Sequence, residues 1–239
     1  MQSQPEPTFV YASKEQQPLE QKQVLVFFTH SQEAYEPIVA KATGTKAGYD
    51  KKLNILALSK PITNAFLKQE LVVDTIETDL MATMQVNHSK FYEAYDVARP
   101  YVKKAIGTKQ YDLILDIHRD AAKKTATTLK NDDGSFAKIA IVIGLEHPSY
   151  SWNLAYAEQL HAELNTITPG ISRGVMKKEG EGVNGIYNQD LAQQMILVEI
   201  GGVENTEEEV LRTINVLAEA VQKTLQTQTA VDLLEANSQ

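Results

Sequence analysis

The chain of 239 residues contains no cysteine. That absence removes disulfides, thiolate nucleophiles, cysteine-ligated zinc and iron–sulfur clusters together. Any metal must therefore be held by His, Asp or Glu. Basic residues are also in deficit, with 23 Lys plus Arg against 31 Asp plus Glu and a formal charge of −8. Nucleic-acid binding depends on neutralising phosphates, so we expect no nucleic-acid partner. No run approaches the ~20 apolar residues needed to cross a bilayer. Glycine-rich phosphate loops of the P-loop and dinucleotide kinds are missing, as is a GxSxG elbow. What is present is ordinary for a globular protein: 43% hydrophobic and 23% charged residues.

The start of the chain is polar, with Pro5, Pro7, Pro18 and many glutamines, and reads as a linker. The expected organisation is a leader at 1–22, one catalytic domain at 23–226 and a tail at 227–239. A polar leader fits either a frayed terminus or a chain trimmed behind an export signal or membrane anchor. Short, continuous, β-rich apolar runs at 24–28, 71–73, 111–117, 139–143 and 195–200 read as strands buried on both faces. Between them lie helical patterns at 87–106, disturbed by Pro100, and at 148–164. Thr206 is placed to cap a last helix with Glu209 as its capping-box partner. Val210, Ile214, Leu217 and Val221 then form one apolar stripe. The turn Asn131-Asp132-Asp133-Gly134 predicts a hairpin between 127–130 and 136–143. Strands alternating with helices predict an α/β fold, a mostly parallel central sheet flanked by helices.

In such sheets the working residues sit past the carboxyl ends of the strands. His30, His118 and Glu199 occupy that position in three of the predicted strands. His30 and Glu33 are three apart. On a helical turn they share a face and suit zinc, or Glu33 simply complements a helix start. In Asp116-Ile117-His118-Arg119-Asp120, His118 is a candidate ligand. Asp116 or Asp120 could orient an imidazole, and Arg119 could hold a substrate carboxylate or steady an oxyanion. The alternative is a salt-bridged strand end. Glu199 lies in an apolar run that should raise its pKa, as a general base needs, unless its side chain escapes to solvent. His88 is a reserve ligand.

These segments, in this order, resemble the stage II sporulation protein P family. The matching pieces are VLVFFTHSQEAYEP from Val24, YDLILDIHRDA from Tyr111, IAIVIGLEHP from Ile139, the helix around Asn153, PGISRG from Pro169, YNQDL from Tyr187 and ILVEIGGVENTEEE from Ile196. The resemblance implies a zinc amidase-like fold. It implies a zinc-dependent N-acetylmuramoyl-L-alanine amidase acting on peptidoglycan, with endopeptidase activity or a non-catalytic wall-binding role as alternatives. It further implies a partner glycan-cleaving enzyme and a place on the outer face of a Gram-positive membrane, behind an anchor that this sequence lacks. Carried over, His30, Glu33 and His118 are expected as metal ligands, with His88 the alternative third, and Glu199 as the base. Arg119 is expected at the oxyanion, and Asn188 and Arg173 at substrate. Between Asp74 and Tyr95 the usual His-Asp pair of the family is missing.

Overall fold

The computed structural model describes residues 9–10 and 21–236. In chain order the elements are β1 (Phe9–Val10), β2 (Gln23–Phe27), α1 (Glu36–Thr43), α2 (Ser59–Leu67), β3 (Val72–Ile76), α3 (Leu80–Val86), α4 (Ala94–Thr108), β4 (Leu113–Asp120), α5 (Lys124–Thr127), β5 (Thr128–Asn131), β6 (Gly134–Ala137), β7 (Ile139–Gly144), α6 (Tyr150–Ile167), β8 (Ser172–Lys178), β9 (Met195–Gly202) and α7 (Glu207–Ala236). Seven strands form one sheet in the order β1-β3-β2-β4-β9-β7-β8. β3, β2, β4 and β9 run parallel. β7 is antiparallel to β9, and β8 follows β7 in parallel. The expected α/β architecture with a mostly parallel central sheet is what forms.

Alternation divides each central strand between two faces. One face carries Val24, Val26, Leu115, Ile117, Ile141, Val198 and Ile200, all fully or almost fully buried in the main core with side chains of α2, α6 and α7. The predicted α7 stripe of Val210, Ile214, Leu217 and Val221 lies in this core. Its capping box is formed, with Thr206 N donating to Glu209 at 3.0 Å and Glu209 N to Thr206 Oγ1 at 3.3 Å. The helix continues to Ala236, into the stretch expected as a tail. The opposite face carries Leu25, Phe27 and Ile114 under Ala98, Tyr101, Val102 and Ala105 of α4. Beyond α4, this face is open over β4, β9 and β7, and the candidate site lies there.

Three expectations are corrected by local chemistry. The helix predicted at 87–106 starts later: α3 has ended at Val86, and His88 adopts a left-handed φ of 56°. Lys90 N then donates to the Glu93 carboxylate at 2.5 Å, starting a short 3-10 turn that leads into α4. Pro100 is accommodated inside α4 on its exposed side, where water can serve the carbonyl left without a partner. The hairpin forms at Asn131–Gly134, but its second strand ends at Ala137, and β7 leaves for the main sheet. Within the expected leader, Phe9 and Val10 pair antiparallel with Ile76 and Thr75, and the rest of 1–20 lies outside the described residues.

Candidate metal and catalytic site

Asp116, His118 and Glu199 point to the same face of the sheet. His118 and Glu199 are register partners on the adjacent strands β4 and β9. They therefore sit within their strands, on the face that α4 leaves open, rather than beyond the strand ends. His30 and Glu33 come from the turn after β2. Glu33 N donates to His30 O at 2.8 Å, so a tight turn, not a helix, brings the two side chains together; α1 begins only at Glu36.

Two carboxylates pin this turn. Asp116 accepts from Thr29 N at 2.9 Å and from Thr29 Oγ1 at 2.7 Å. Asp79 accepts from Ser31 Oγ at 2.7 Å and Gln32 Nε2 at 2.9 Å, and also caps α3 through Ala82 N at 2.9 Å.

The result is a convergence of His30, Glu33 and His118, with one ligand atom from each within 4.8 Å of the others. Glu33 Oε1 is 3.5 Å from His30 Nδ1, and Glu33 Oε2 is 3.6 Å from His118 Nδ1. Glu33 is itself held by the backbone N–H of Arg119 at 2.9 Å. On the far side of the His118 ring, Nε2 lies 3.1 Å from Asp116 Oδ1, an ion-pair distance whose alignment falls short of a hydrogen bond. Asp116 is thus the residue placed to orient the imidazole, the arrangement that supports metal-ligating histidines. Asp120, the alternative, pairs with Arg173 instead. His30 Nε2 is buried without a partner, and the ring stacks on Phe91 with centroids 4.5 Å apart. Two imidazoles and a carboxylate, with a ring nitrogen of each imidazole lacking a hydrogen bond among the described residues, suit zinc or a similar divalent cation.

The electrostatics agree with a cation site. Burial alone would raise the Glu33 pKa, but hydrogen bonds and attraction from His118 and His30 outweigh it and hold the carboxyl well below the usual range. Burial works against charge on His118, yet Asp116 and Glu33 push its pKa well above that of an ordinary imidazole. Glu199 differs. Burial, reinforced by repulsion from Glu33 and Asp120, raises it to about 8 despite attraction from His118. Its Oε2 has no hydrogen-bond partner among the described residues.

These groups line a cleft of about 270 Å³, walled by Tyr49, Phe91, Tyr95 and Tyr187, with Lys178 at its border. The sequence reading passed over these aromatics and Lys178. The aromatic cluster Phe91-Tyr92-Glu93-Ala94-Tyr95 was the usable signal in the sequence. Three expected residues have other tasks. Arg119 borders the cleft, but its Nε donates to Ala34 O at 2.9 Å, Nη2 to Gly48 O, and the guanidinium lies 5.0 Å over the Tyr49 ring. Held in this way, Arg119 braces the segments at Ala34 and Gly48 while it lines the cleft. Asn188 is buried at a left-handed φ of 58°, donates to Tyr95 O at 2.8 Å and accepts from Arg99 at 3.0 Å, so it braces the wall at Tyr95. Arg173 is outside the cleft, paired with Asp120. His88 lies apart from the cluster, in a separate depression between α3 and α4.

The profile of stage II sporulation protein P (SpoIIP) matches residues 2–222. The chain belongs to the SpoIIP family. Stage II sporulation protein P of Bacillus subtilis (strain 168) is 32% identical over 201 residues, covering 84% of this chain and 50% of that protein. This SpoIIP-family chain thus spans about half the length of its curated relative. Among solved structures, the CwlD amidase from Clostridioides difficile, in complex with the GerS lipoprotein, matches with a TM-score of 0.55 at 13% identity, covering 86% of this chain and 99% of that one. A metallo-carboxypeptidase from Burkholderia cenocepacia matches with a TM-score of 0.50 at 11% identity, covering 95% and 66%. The fold of the SpoIIP-family chain is therefore zinc amidase-like, as the sequence motifs implied.

Proposed function

We propose that the chain is a zinc-dependent peptidoglycan hydrolase cleaving the amide between the lactyl group of N-acetylmuramic acid and L-alanine of the stem peptide. The observation that carries this reading is the convergence of His30, Glu33 and His118 beside an unpartnered Glu199 on one open sheet face. His30, Glu33 and His118 would hold the metal, with Asp116 placed against the His118 ring. Zinc in such a site supplies Lewis acidity and brings water ionisation close to neutral pH.

The protein's own residues do the rest. The cleft walls hold the amide against the sheet face. Glu199 takes a proton at its free oxygen as water adds to the amide carbonyl. The raised pKa makes the protonated carboxyl stable enough to serve as the acid of the return step. It then passes the proton to the alanine nitrogen as the C–N bond breaks, leaving a lactyl carboxylic acid, which ionises, and a free amine. Membership of the SpoIIP family supports the further expectations of a wall-facing location behind an anchor and of a glycan-cleaving partner. No described helix is long and apolar enough to cross a membrane.

Mass spectrometry of muropeptides, with and without chelator, tests the proposal. New L-alanine N-termini that disappear on chelation are expected. Cuts confined to the stem peptide would move the assignment to an endopeptidase. Sacculus binding with full zinc occupancy and no soluble product would leave a wall-binding module.

A further inference from the structure

Among the cations that border the cleft, Arg119 is committed to Ala34, Gly48 and the Tyr49 ring, whereas Lys178 is not committed. Its neighbours on β8 are engaged: Arg173 with Asp120, and Lys177 with Glu158 at 3.7 Å. Lys178 is anchored only through its backbone, its carbonyl accepting from Leu145 N at 2.9 Å in register with Gly144. No carboxylate pairs with its side chain among the described residues. The carboxylates around the cleft are Glu33, Asp120 and Glu199, with His30 and His118 beside them. The chain as a whole carries −8. Lys178 therefore leaves one border of the cleft with a cation able to meet a negatively charged group and so to fix the register of a substrate.

From these observations we infer that Lys178 binds a carboxylate on the peptide side of the scissile amide, and so sets which way round the substrate lies. The placement fits. Lys178 shares the sheet face of Val142, Leu197 and Glu199 through the β9-β7-β8 register. It is two strands across from Glu199 and about four residues along, ~10 Å by ~13 Å, or ~16 Å between backbones. A lysine side chain reaching back along the cleft brings its ammonium within a few extended residues of the amide attacked beside Glu199. The floor between them is apolar, from Val142 and Leu197, and carries no second cation. The inference rests on the amidase reading for the identity of the scissile bond, but the charge recognition is separable from it.

The test uses two synthetic muramoyl-L-alanyl peptides, identical except that the residue after alanine carries a free carboxylate in one and a carboxamide in the other. The native chain should favour the acid roughly 10-fold or more in kcat/KM, mainly through KM, the scale of one charge-assisted hydrogen bond. Lys178→Met should bring the acid-to-amide ratio close to one, and Lys178→Arg should restore most of it. Equal use of both probes by the native chain, or an undiminished preference in Lys178→Met, overturns the inference. If the native chain cuts neither probe, the amidase reading has failed, and calorimetric binding decides Lys178 alone. An acid-over-amide difference in Kd that Lys178→Met abolishes supports it. Equal binding of the two probes, or none, overturns it.

Discussion

The two faces of the same strands have opposite characters. On β4, Ile117 is buried in the apolar core beneath α2, α6 and α7, while His118 beside it faces the cleft; on β9 the same holds for Val198 and Glu199. One face gains stability by excluding water. The other keeps charged groups in reach of a ligand at a cost in desolvation. Strand alternation lets neighbouring residues serve these ends with little interference, and the rigid face orients the reactive one. That separation can be tested by adjacent substitutions. The largest effect belongs to Glu199→Gln, which should lower kcat by about 10²- to 10⁴-fold, the usual range for removing an acid–base group. Metal content and melting temperature should stay near native. Full activity with zinc bound would remove Glu199 from the chemistry.

The counterpart is Ile117→Ala. Ile117 has no exposed surface and lies in the main core. Its truncation should cost about 2–5 kcal/mol of stability, measured by urea unfolding, with kcat per folded molecule within a few-fold of native. A collapse of kcat at unchanged stability would show that the two faces are not independent.

Within the reactive face, Asp116 joins the β2 turn to the His118 ring. Asp116→Asn keeps the shape but removes the charge. We expect metal affinity to fall about 10- to 100-fold, the range seen when groups orienting a ligand are changed, as read by competition with a chromophoric chelator. Unchanged affinity would mean that Thr29 alone sets the turn.

How much of this was legible in the sequence follows from the same alternation. The continuous apolar runs located β2, β4, β7 and β9, and the capping box located the start of α7, because each signal is local. The pair His118 and Glu199 was also legible, since a charged residue in an apolar strand stands out. β8 was not: Ser172–Lys178 is a partly exposed edge strand without the continuous apolar run of a buried one. The fates of Arg119, Asn188 and Arg173 were hidden for another reason. Their partners, the carbonyls of Ala34 and Tyr95 and the carboxylate of Asp120, are brought to them only by tertiary folding. Spacing can nominate a polar side chain but does not say which buried carbonyl needs it. The aromatic walls were missed because Tyr49 and Tyr187 lie far from Phe91 and Tyr95 in the chain and meet only across the cleft.

The apolar face has a titratable anchor of its own, and the smallest prediction separates it from the site. Glu209, buried at the start of α7, accepts from Thr206 N, from Asn205 Nδ2 at 2.8 Å and from Ser135 Oγ at 2.7 Å, and pairs with Lys124 at 2.9 Å. Burial opposes its charge, but these partners outweigh burial and hold the pKa down to about 2, from an ordinary value of 4.5. A carboxylate with a depressed folded pKa stabilises the fold above its unfolded pKa. That contribution is lost as pH falls through the folded value. The native chain should therefore lose stability between about pH 4.5 and 2 in part through Glu209. Glu209→Gln should be less stable at pH 7 by about 1–2 kcal/mol, from the weakened cap and the lost charged bonds, and its stability should fall less steeply across that acid window. Its kcat at pH 7, corrected for folded fraction, should match the native value, because Glu209 braces the face away from the cleft. A Glu209→Gln profile parallel to the native one throughout would place the acid sensitivity elsewhere. The cleft carboxylates would be the next to titrate, and stability and chemistry would then share groups that the alternation of the strands otherwise keeps apart.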